Sequence, residues 1–293
     1  MKRLACLLLL LAAPVLHAQT YFVTVAGLGG ESDYTQRFNA NAQALDKLFR
    51  QSGPSARVTT LIGADATRAK LSQTLDQIAA AARPDNDFVL ILIGHGTFDG
   101  VEYKFNLLGP DISAGDLAAL CNKIPSRRQL IVDTSSASGG AATALAHPGR
   151  GLILATKSGT EKNATVFARY LVAALQDPSA DLDKNQAISA EEAFQYAQRH
   201  TADFYTSQQR LATEHPISND DKLLASLTLV RFGAAQQQYA DPAKRALLAQ
   251  KEDLERKIDA LNYQRDAMSD SDFKTQVTAL LLELTKVQKE LDQ

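Results

Sequence analysis

The chain has 293 residues, of which 31 are basic, 33 are acidic and 45% are hydrophobic, so its net charge is only -2. This composition excludes a disordered or low-complexity chain, and the near-zero charge argues against a nucleic acid as partner. Two cysteines cannot staple a chain of this length, so we expect its stability to come from a conventional hydrophobic core.

The N-terminal segment has the pattern of an export signal. Lys2 and Arg3 precede an apolar run over residues 4–16, and small residues around Ala18 follow. A basic start, a short apolar stretch and a small-residue end are typical of a cleaved signal peptide, here over residues 1–18. The run is shorter than the roughly 20 residues that cross a bilayer. We therefore expect a periplasmic or secreted product that does not span a membrane.

Residues 21–156 alternate between two kinds of segment. Strand-like runs occupy 21–26, 57–62, 88–93, 129–132 and 151–156. Apolar residues recur at helical spacing over 35–50, 67–82 and 113–122. This alternation predicts an α/β domain with a mainly parallel sheet and flanking helices.

Two of these strands end in polar, glycine-rich sequences. The third strand runs into Gly94, His95 and Gly96, and the fourth runs into segment 133–140, which contains three serines and two glycines. Ligands of parallel sheets bind at the carboxyl ends of the strands, so these two corners form a candidate functional site. A purely structural alternative is that the glycines permit tight turns and the serines cap a helix beginning near Ala141.

Residues 181–192 fit the template of a twelve-residue EF-hand calcium loop. The side-chain ligands would be Asp181, Asp183, Asn185, Ser189 and Glu192, with the main-chain carbonyl of Ala187. Gln186 stands where the template has a glycine for its sharp turn. The alternative is a helix start, because Ser189 and Glu192 have the spacing of a capping box. Calcium is thus the candidate cofactor.

The C-terminal segment, residues 236–293, has a different pattern. Leucines recur at 247, 254 and 261, and beyond a polar stretch at 269–272 apolar residues alternate at spacings of four and three: Phe273, Val277, Leu280, Leu284, Val287 and Leu291. Two such helices joined by a polar turn predict an antiparallel coiled-coil hairpin. The hairpin either folds back on the main domain or serves as an arm for a homo-oligomer.

The two strand-end corners resemble those of the caspase-like fold, the clan CD cysteine peptidases that include legumain, caspases and metacaspases. In these peptidases one strand ends in His-Gly, as in His95-Gly96, and a later one ends in Asp-x-Cys-x-Ser-Gly, which segment 134–139 approaches. Residues 151–160 and 167–175 are similar to the strand and helix after the nucleophile in bacterial legumain-like proteins. The resemblance implies a caspase/legumain-like domain at 19–235 with a peptide or protein ligand.

The sequence departs from this family at the nucleophile. Ser136 stands where the family has cysteine, and Thr134 stands where it has an acidic residue, although Asp133 lies one position earlier. A cysteine forms appreciable thiolate near neutral pH, whereas a serine needs a hydrogen-bonded base that a third group orients. The carboxylate nearest to His95 in sequence is that of Asp99.

The resemblance therefore implies a peptidase-like protein that is catalytically weak or inactive. One alternative is an active hydrolase in which His95 is the acid or base, Ser136 attacks, and the N–H groups of Gly96 and Ser136 hold the oxyanion. The other is a non-catalytic scaffold that associates through the hairpin. Cys121 lies in the apolar part of a helix, and we expect a buried, inert thiol there.

Overall fold

This computed structural model describes residues 18–53, 55–233 and 268–291, together with individual positions between 244 and 265. Residues 1–17, and with them nearly all of the expected signal peptide, lie outside the described part. Within the described part, no helix is both long and apolar enough to cross a membrane.

Helices and strands alternate along most of the chain. In chain order they are β1 (Thr20–Ala26), α1 (Ser32–Gln51), β2 (Ala56–Leu61), α2 (Arg68–Ala81), β3 (Asp87–Ile93), β4 (Gly96–Phe98), β5 (Tyr103–Phe105), β6 (Ile112–Ser113), α3 (Ala114–Asn122), β7 (Arg128–Asp133), α4 (Ala142–Leu145), β8 (Arg150–Leu154), α5 (Phe167–Ala174), β9 (Ala187–Ser189), α6 (Ala190–Ser207), β10 (Ile217–Ser218), α7 (Asp221–Ser226), β11 (Thr228–Arg231) and α8 (Asp270–Leu291).

The central sheet has six strands in the order β10-β8-β7-β3-β1-β2. All neighbours are parallel except β10, which pairs antiparallel with β8. The mainly parallel α/β sheet that the sequence predicts is thus confirmed. Strand β3 is buried along its whole length, as expected of a strand covered by helices on both faces.

Each face of the sheet packs on its own hydrophobic cluster. Alternate side chains of β1 point to opposite faces, because side chains alternate along a strand. Phe22 lies in the cluster formed with α1, α5 and α6, where it stacks on Phe49 with ring centroids 4.2 Å apart. Val23 and Val25 lie in the other cluster, with α2 and α3. The central sheet is thus covered by helices on both faces.

Two small sheets were not predicted from the sequence. Strands β4, β5 and β6 form an antiparallel meander beyond the end of β3, and β9 pairs antiparallel with β11. Strands of two to four residues are too short to show a periodic pattern. The meander contains Gly96, a residue of the candidate functional site.

The C-terminal segment forms a third hydrophobic cluster from its own residues. Leu254, Val287 and Leu291 are buried there, and Leu280 and Leu284 pack against them. The ammonium group of Lys244 donates to the carbonyl of Leu291 over 2.8 Å. This contact joins the start of the segment to its end, as an antiparallel hairpin requires. Residues 234–243 lie outside the described part.

Candidate functional site

The two glycine-rich segments meet at the carboxyl ends of two neighbouring strands of the central sheet. Strands β3 and β7 are parallel neighbours, with Leu92 opposite Asp133. The segments that follow them therefore leave the sheet side by side. A Cβ atom added to Gly96 would lie 2.5 Å from the carbonyl oxygen of Ser136, so only glycine allows the two corners to approach this closely.

Ser136 is held by the main chain of Gly96. Its Oγ donates to the Gly96 carbonyl over 3.0 Å and accepts from the Gly96 N–H over 3.2 Å. Only 3% of its surface is exposed. The Ser136 hydroxyl proton is thus directed to a carbonyl, and the Gly96 N–H expected to hold an oxyanion is already occupied.

His95 is half-buried among aromatic side chains. Its ring lies edge-on to Tyr34 and Phe38, with centroids 4.7 and 5.1 Å apart. Burial lowers the pKa of the imidazole, while a hydrogen bond to the main chain of Gly29 acts in the opposite direction. Burial therefore favours the neutral imidazole.

Asp99 does not orient His95. Its Oδ1 accepts from the N–H groups of Val101 and Glu102, both at 2.8 Å, in the turn between β4 and β5. Those two main-chain bonds hold the pKa of the carboxyl below its usual range. The carboxylate nearest in sequence to His95, that of Asp99, thus has a structural role in a turn.

A buried cluster of polar side chains lies beside Ser136. The Tyr103 hydroxyl is 2.6 Å from both Asp133 Oδ2 and Ser135 Oγ. Asp133 Oδ1 accepts from the Ser135 N–H over 3.0 Å, and Ser135 Oγ donates to the Ser136 carbonyl over 3.1 Å. Sequence reasoning missed Tyr103, because its strand was not predicted and nothing along the chain links it to Asp133.

The serines of this corner do not cap the helix near Ala141, because α4 begins after Ala141 without a side-chain cap; the capping part of the alternative is therefore wrong. Its other part holds, since the glycines allow close packing: a Cβ atom on Gly139 would clash with the main-chain nitrogen of Ser158. A short 3-10 helix at Ser138–Ala141 begins after Ala137, which has a φ of 59° and no side-chain cap. Ser138 contacts the Thr156 hydroxyl over 3.2 Å instead and accepts from the Thr156 N–H over 3.1 Å. These serines therefore form hydrogen bonds with neighbouring strands and loops that are distant in the chain, and not with the N-terminus of the helix that follows them.

Cys121 is buried in α3, as expected. Burial raises the pKa of its thiol to about 12. At such a pKa the thiolate is negligible at neutral pH, so this residue is no candidate nucleophile.

The acidic loop before α6 brings three carboxylates together. Oxygens of Asp181, Asp183 and Glu192 lie within 4.8 Å of one another and can hold a metal ion. Asp181 and Glu192 are buried, and Asp183 is exposed. Burial and the nearby negative charges of Glu192 and Asp181 raise the pKa of Asp183. A cation would relieve this repulsion.

The remaining expected ligands serve the loop itself. Asn185 Oδ1 accepts from the Ala187 N–H over 2.8 Å, and Ala187 lies in β9. Ser189 and Glu192 form a complete capping box at the start of α6, so the structural alternative holds beside the metal-binding one. Gln186 has a φ of 65°, the left-handed conformation for which the EF-hand template uses glycine.

Comparison with known proteins adds a fold relationship. No sequence family and no curated protein matches the chain significantly. The crystal structure of protein GSU0716 from Geobacter sulfurreducens is similar, with a TM-score of 0.50 and 15% sequence identity over 74% of this chain and 100% of that one. At such low identity the similarity concerns the fold alone.

Proposed function

We propose that this chain is an exported relative of the caspase- and legumain-like peptidases whose hydrolytic site is inactive or very weak. Its role would then be to bind a peptide or protein rather than to cleave it. The order of His95-Gly96 and Ser136 on neighbouring strand ends supports the relationship. The signal-like pattern of residues 1–18 supports export.

The hydrogen bonds of the Ser136 hydroxyl carry the proposal of inactivity. A serine becomes nucleophilic when a base takes its proton. The Ser136 proton instead goes to the Gly96 carbonyl, which cannot act as a base. Loss of an activated nucleophile costs several orders of magnitude in rate, so we expect hydrolysis close to background.

Active-site probes test this proposal. We expect neither labelling of the protein by a fluorophosphonate nor cleavage of a broad peptide library. Replacing the hydroxyl by a thiol, Ser136→Cys, should introduce a group that iodoacetamide alkylates slowly, because only 3% of the Ser136 surface is exposed. We still expect alkylation about tenfold faster than at Cys121, which is fully buried and whose thiol pKa burial raises to about 12. The matched control is Ser136→Cys combined with His95→Ala, in which we expect slower alkylation.

Two results would contradict the proposal. Labelling of wild-type Ser136 that disappears in His95→Ala would establish the active hydrolase instead. An alkylation rate of Ser136→Cys that is unchanged by His95→Ala would show that the two side chains do not interact. It would also remove the basis for a peptidase ancestry.

We propose further that the acidic loop binds Ca²⁺. The donor set of Asp181, Asp183 and Glu192 consists of carboxylate oxygens, which Ca²⁺ prefers. Asn185, Ser189 and the carbonyl of Ala187 would complete the shell after local rearrangement. The strained Gln186 favours a weak site, in the micromolar to millimolar range typical of extracellular modules.

Calorimetric titration with calcium chloride tests the loop. We expect heat of binding for the wild type and at least about a tenfold loss of affinity in Asp183→Asn, which removes one charged ligand and preserves the shape of an exposed side chain. The matched control is Asp203→Ala, an exposed carboxylate on α6 outside the loop. Absence of heat in the wild type, or equal affinities in the wild type and Asp183→Asn, would contradict calcium binding here.

A further inference from the structure

A continuous chain of buried oxygen atoms runs from Asp133 to the main chain of Ser136. It passes from Asp133 Oδ2 to the Tyr103 hydroxyl over 2.6 Å, then to Ser135 Oγ over 2.6 Å, and then to the Ser136 carbonyl over 3.1 Å. Asp133, Tyr103 and Ser135 are each at most 1% exposed. Bulk solvent therefore does not reach these groups, and their hydrogen-bond partners are other protein groups.

The number of protons available decides whether every contact in this chain of oxygen atoms is a hydrogen bond. There are three oxygen–oxygen contacts, and each needs one proton. The hydroxyls of Tyr103 and Ser135 supply only two. With an ionised Asp133, Tyr103 donates to the carboxylate, and Ser135 must choose between Tyr103 and the Ser136 carbonyl. One contact then brings two lone pairs together without a proton, which is unfavourable in a buried site.

We propose that Asp133 is a neutral carboxylic acid in the folded protein and that its proton completes the chain through Tyr103 and Ser135 to the Ser136 carbonyl. In this state Asp133 donates to Tyr103, Tyr103 donates to Ser135, and Ser135 donates to the carbonyl. Asp133 and Tyr103 are thus positioning residues for the turn that carries Ser136. This inference stands whether or not the site hydrolyses a substrate.

The surroundings favour the neutral acid. Burial raises the pKa of Asp133, and its hydrogen bonds with Tyr103 and Ser135 only partly oppose this effect. Burial is the largest cause that raises the pKa of Tyr103 well above its ordinary value, so the Tyr103 hydroxyl keeps its proton. Asp111, from the loop between β5 and β6, also acts on the cluster, and its negative charge raises the pKa of Tyr103 further.

Infrared spectroscopy tests the protonation state directly. A protonated carboxyl has a C=O stretching band separate from that of a carboxylate. With isotope-labelled aspartate in the full chain at neutral pH, we expect one such band in the wild type and its loss in Asp133→Asn. At neutral pH the exposed aspartates are ionised, so a wild-type spectrum without this band at neutral pH would overturn the proposal.

The pH dependence of unfolding separates positioning from simple packing. A folded-state pKa raised above the unfolded value of 3.8 contributes stability that is present below the unfolded pKa and is lost as the pH rises through the folded pKa. Asp133→Asn keeps an acceptor for the Ser135 N–H and a donor for the Tyr103 oxygen at every pH. We expect it to match the wild type at low pH and to exceed it above the folded pKa of Asp133.

Two further variants complete the test. Asp133→Ala leaves the Ser135 N–H without its acceptor and should lose stability at every pH. Asp46→Asn is the control of opposite sign, because a hydrogen bond from Arg50 lowers the pKa of Asp46, and the stability it contributes is lost as the pH falls. Asp133→Asn that is as unstable as Asp133→Ala at low pH would overturn the proposal.

Discussion

At the scale of single residues, hydrogen-bond partners determine what each hydroxyl can do. Ser136 and Thr134 both donate to main-chain carbonyls, of Gly96 and Leu92 respectively. Thr24, in the middle of β1, is fully buried, and its Oγ1 has no hydrogen-bond partner. An unsatisfied buried hydroxyl destabilises a fold, so these similar side chains contribute in opposite directions.

We predict that Thr24→Val stabilises the protein by about 1 kcal/mol, because valine has nearly the same shape and no hydroxyl to desolvate. Urea unfolding monitored by circular dichroism measures the change. The matched control is Thr134→Val, which removes the 2.9 Å bond to the Leu92 carbonyl and should destabilise by about 1 kcal/mol. Equal losses in both variants would show that the Thr24 hydroxyl has a partner.

At the scale of elements, long segments were predictable and short ones were not. Helix α1 and strand β3 follow from apolar periodicity, although α1 begins three residues earlier than the expected 35–50. The meander β4-β5-β6 has no such pattern, because strands of two or three residues form only where neighbouring chain supports them. This meander places Gly96 against Ser136 and Tyr103 against Asp133, so the site depends on the least predictable elements.

For the loop before α6, the sequence indicated a candidate cation site but not the hydrogen bonds that shape the loop. Its acidic spacing indicates a cation site, and the structure brings the carboxylates together. Its hydrogen bonds show what the spacing alone does not: Glu192 Oε1 accepts from the Leu182 N–H over 2.8 Å, and Glu192 Oε2 accepts from Ser189. One residue thus serves both the helix cap and the loop, which is why both sequence interpretations fit the same residues.

At the scale of the whole molecule, the C-terminal hairpin has its own hydrophobic cluster. Its buried leucines and valine contact one another, and the two clusters on the sheet contain no residue beyond Phe232. The core of the α/β domain is therefore built without the hairpin, as far as the described residues go. Association of copies through the hairpin remains a prediction.

We predict that deletion of residues 241–293 changes the free energy of unfolding of the α/β domain by less than about 1 kcal/mol, because no buried cluster of the sheet is cut. Chemical denaturation of the full chain and of the shortened chain measures this difference in free energy. Light scattering on the same samples tests whether the hairpin joins copies of the chain. A molar mass that falls by more than the mass of the deleted residues supports association through the hairpin. A mass reduced only by the deleted residues would contradict it.

The amino-acid sequence by itself determined the class of fold, the positions of the long helices and strands, and the corners where polar residues follow buried strands. These features depend on periodicity and composition, which are local. Only the tertiary structure decided where the Ser136 proton goes, that Asp99 serves a turn, and that Asp133 meets Tyr103. Such contacts join residues far apart in the chain, and their geometry depends on how whole strands and loops pack.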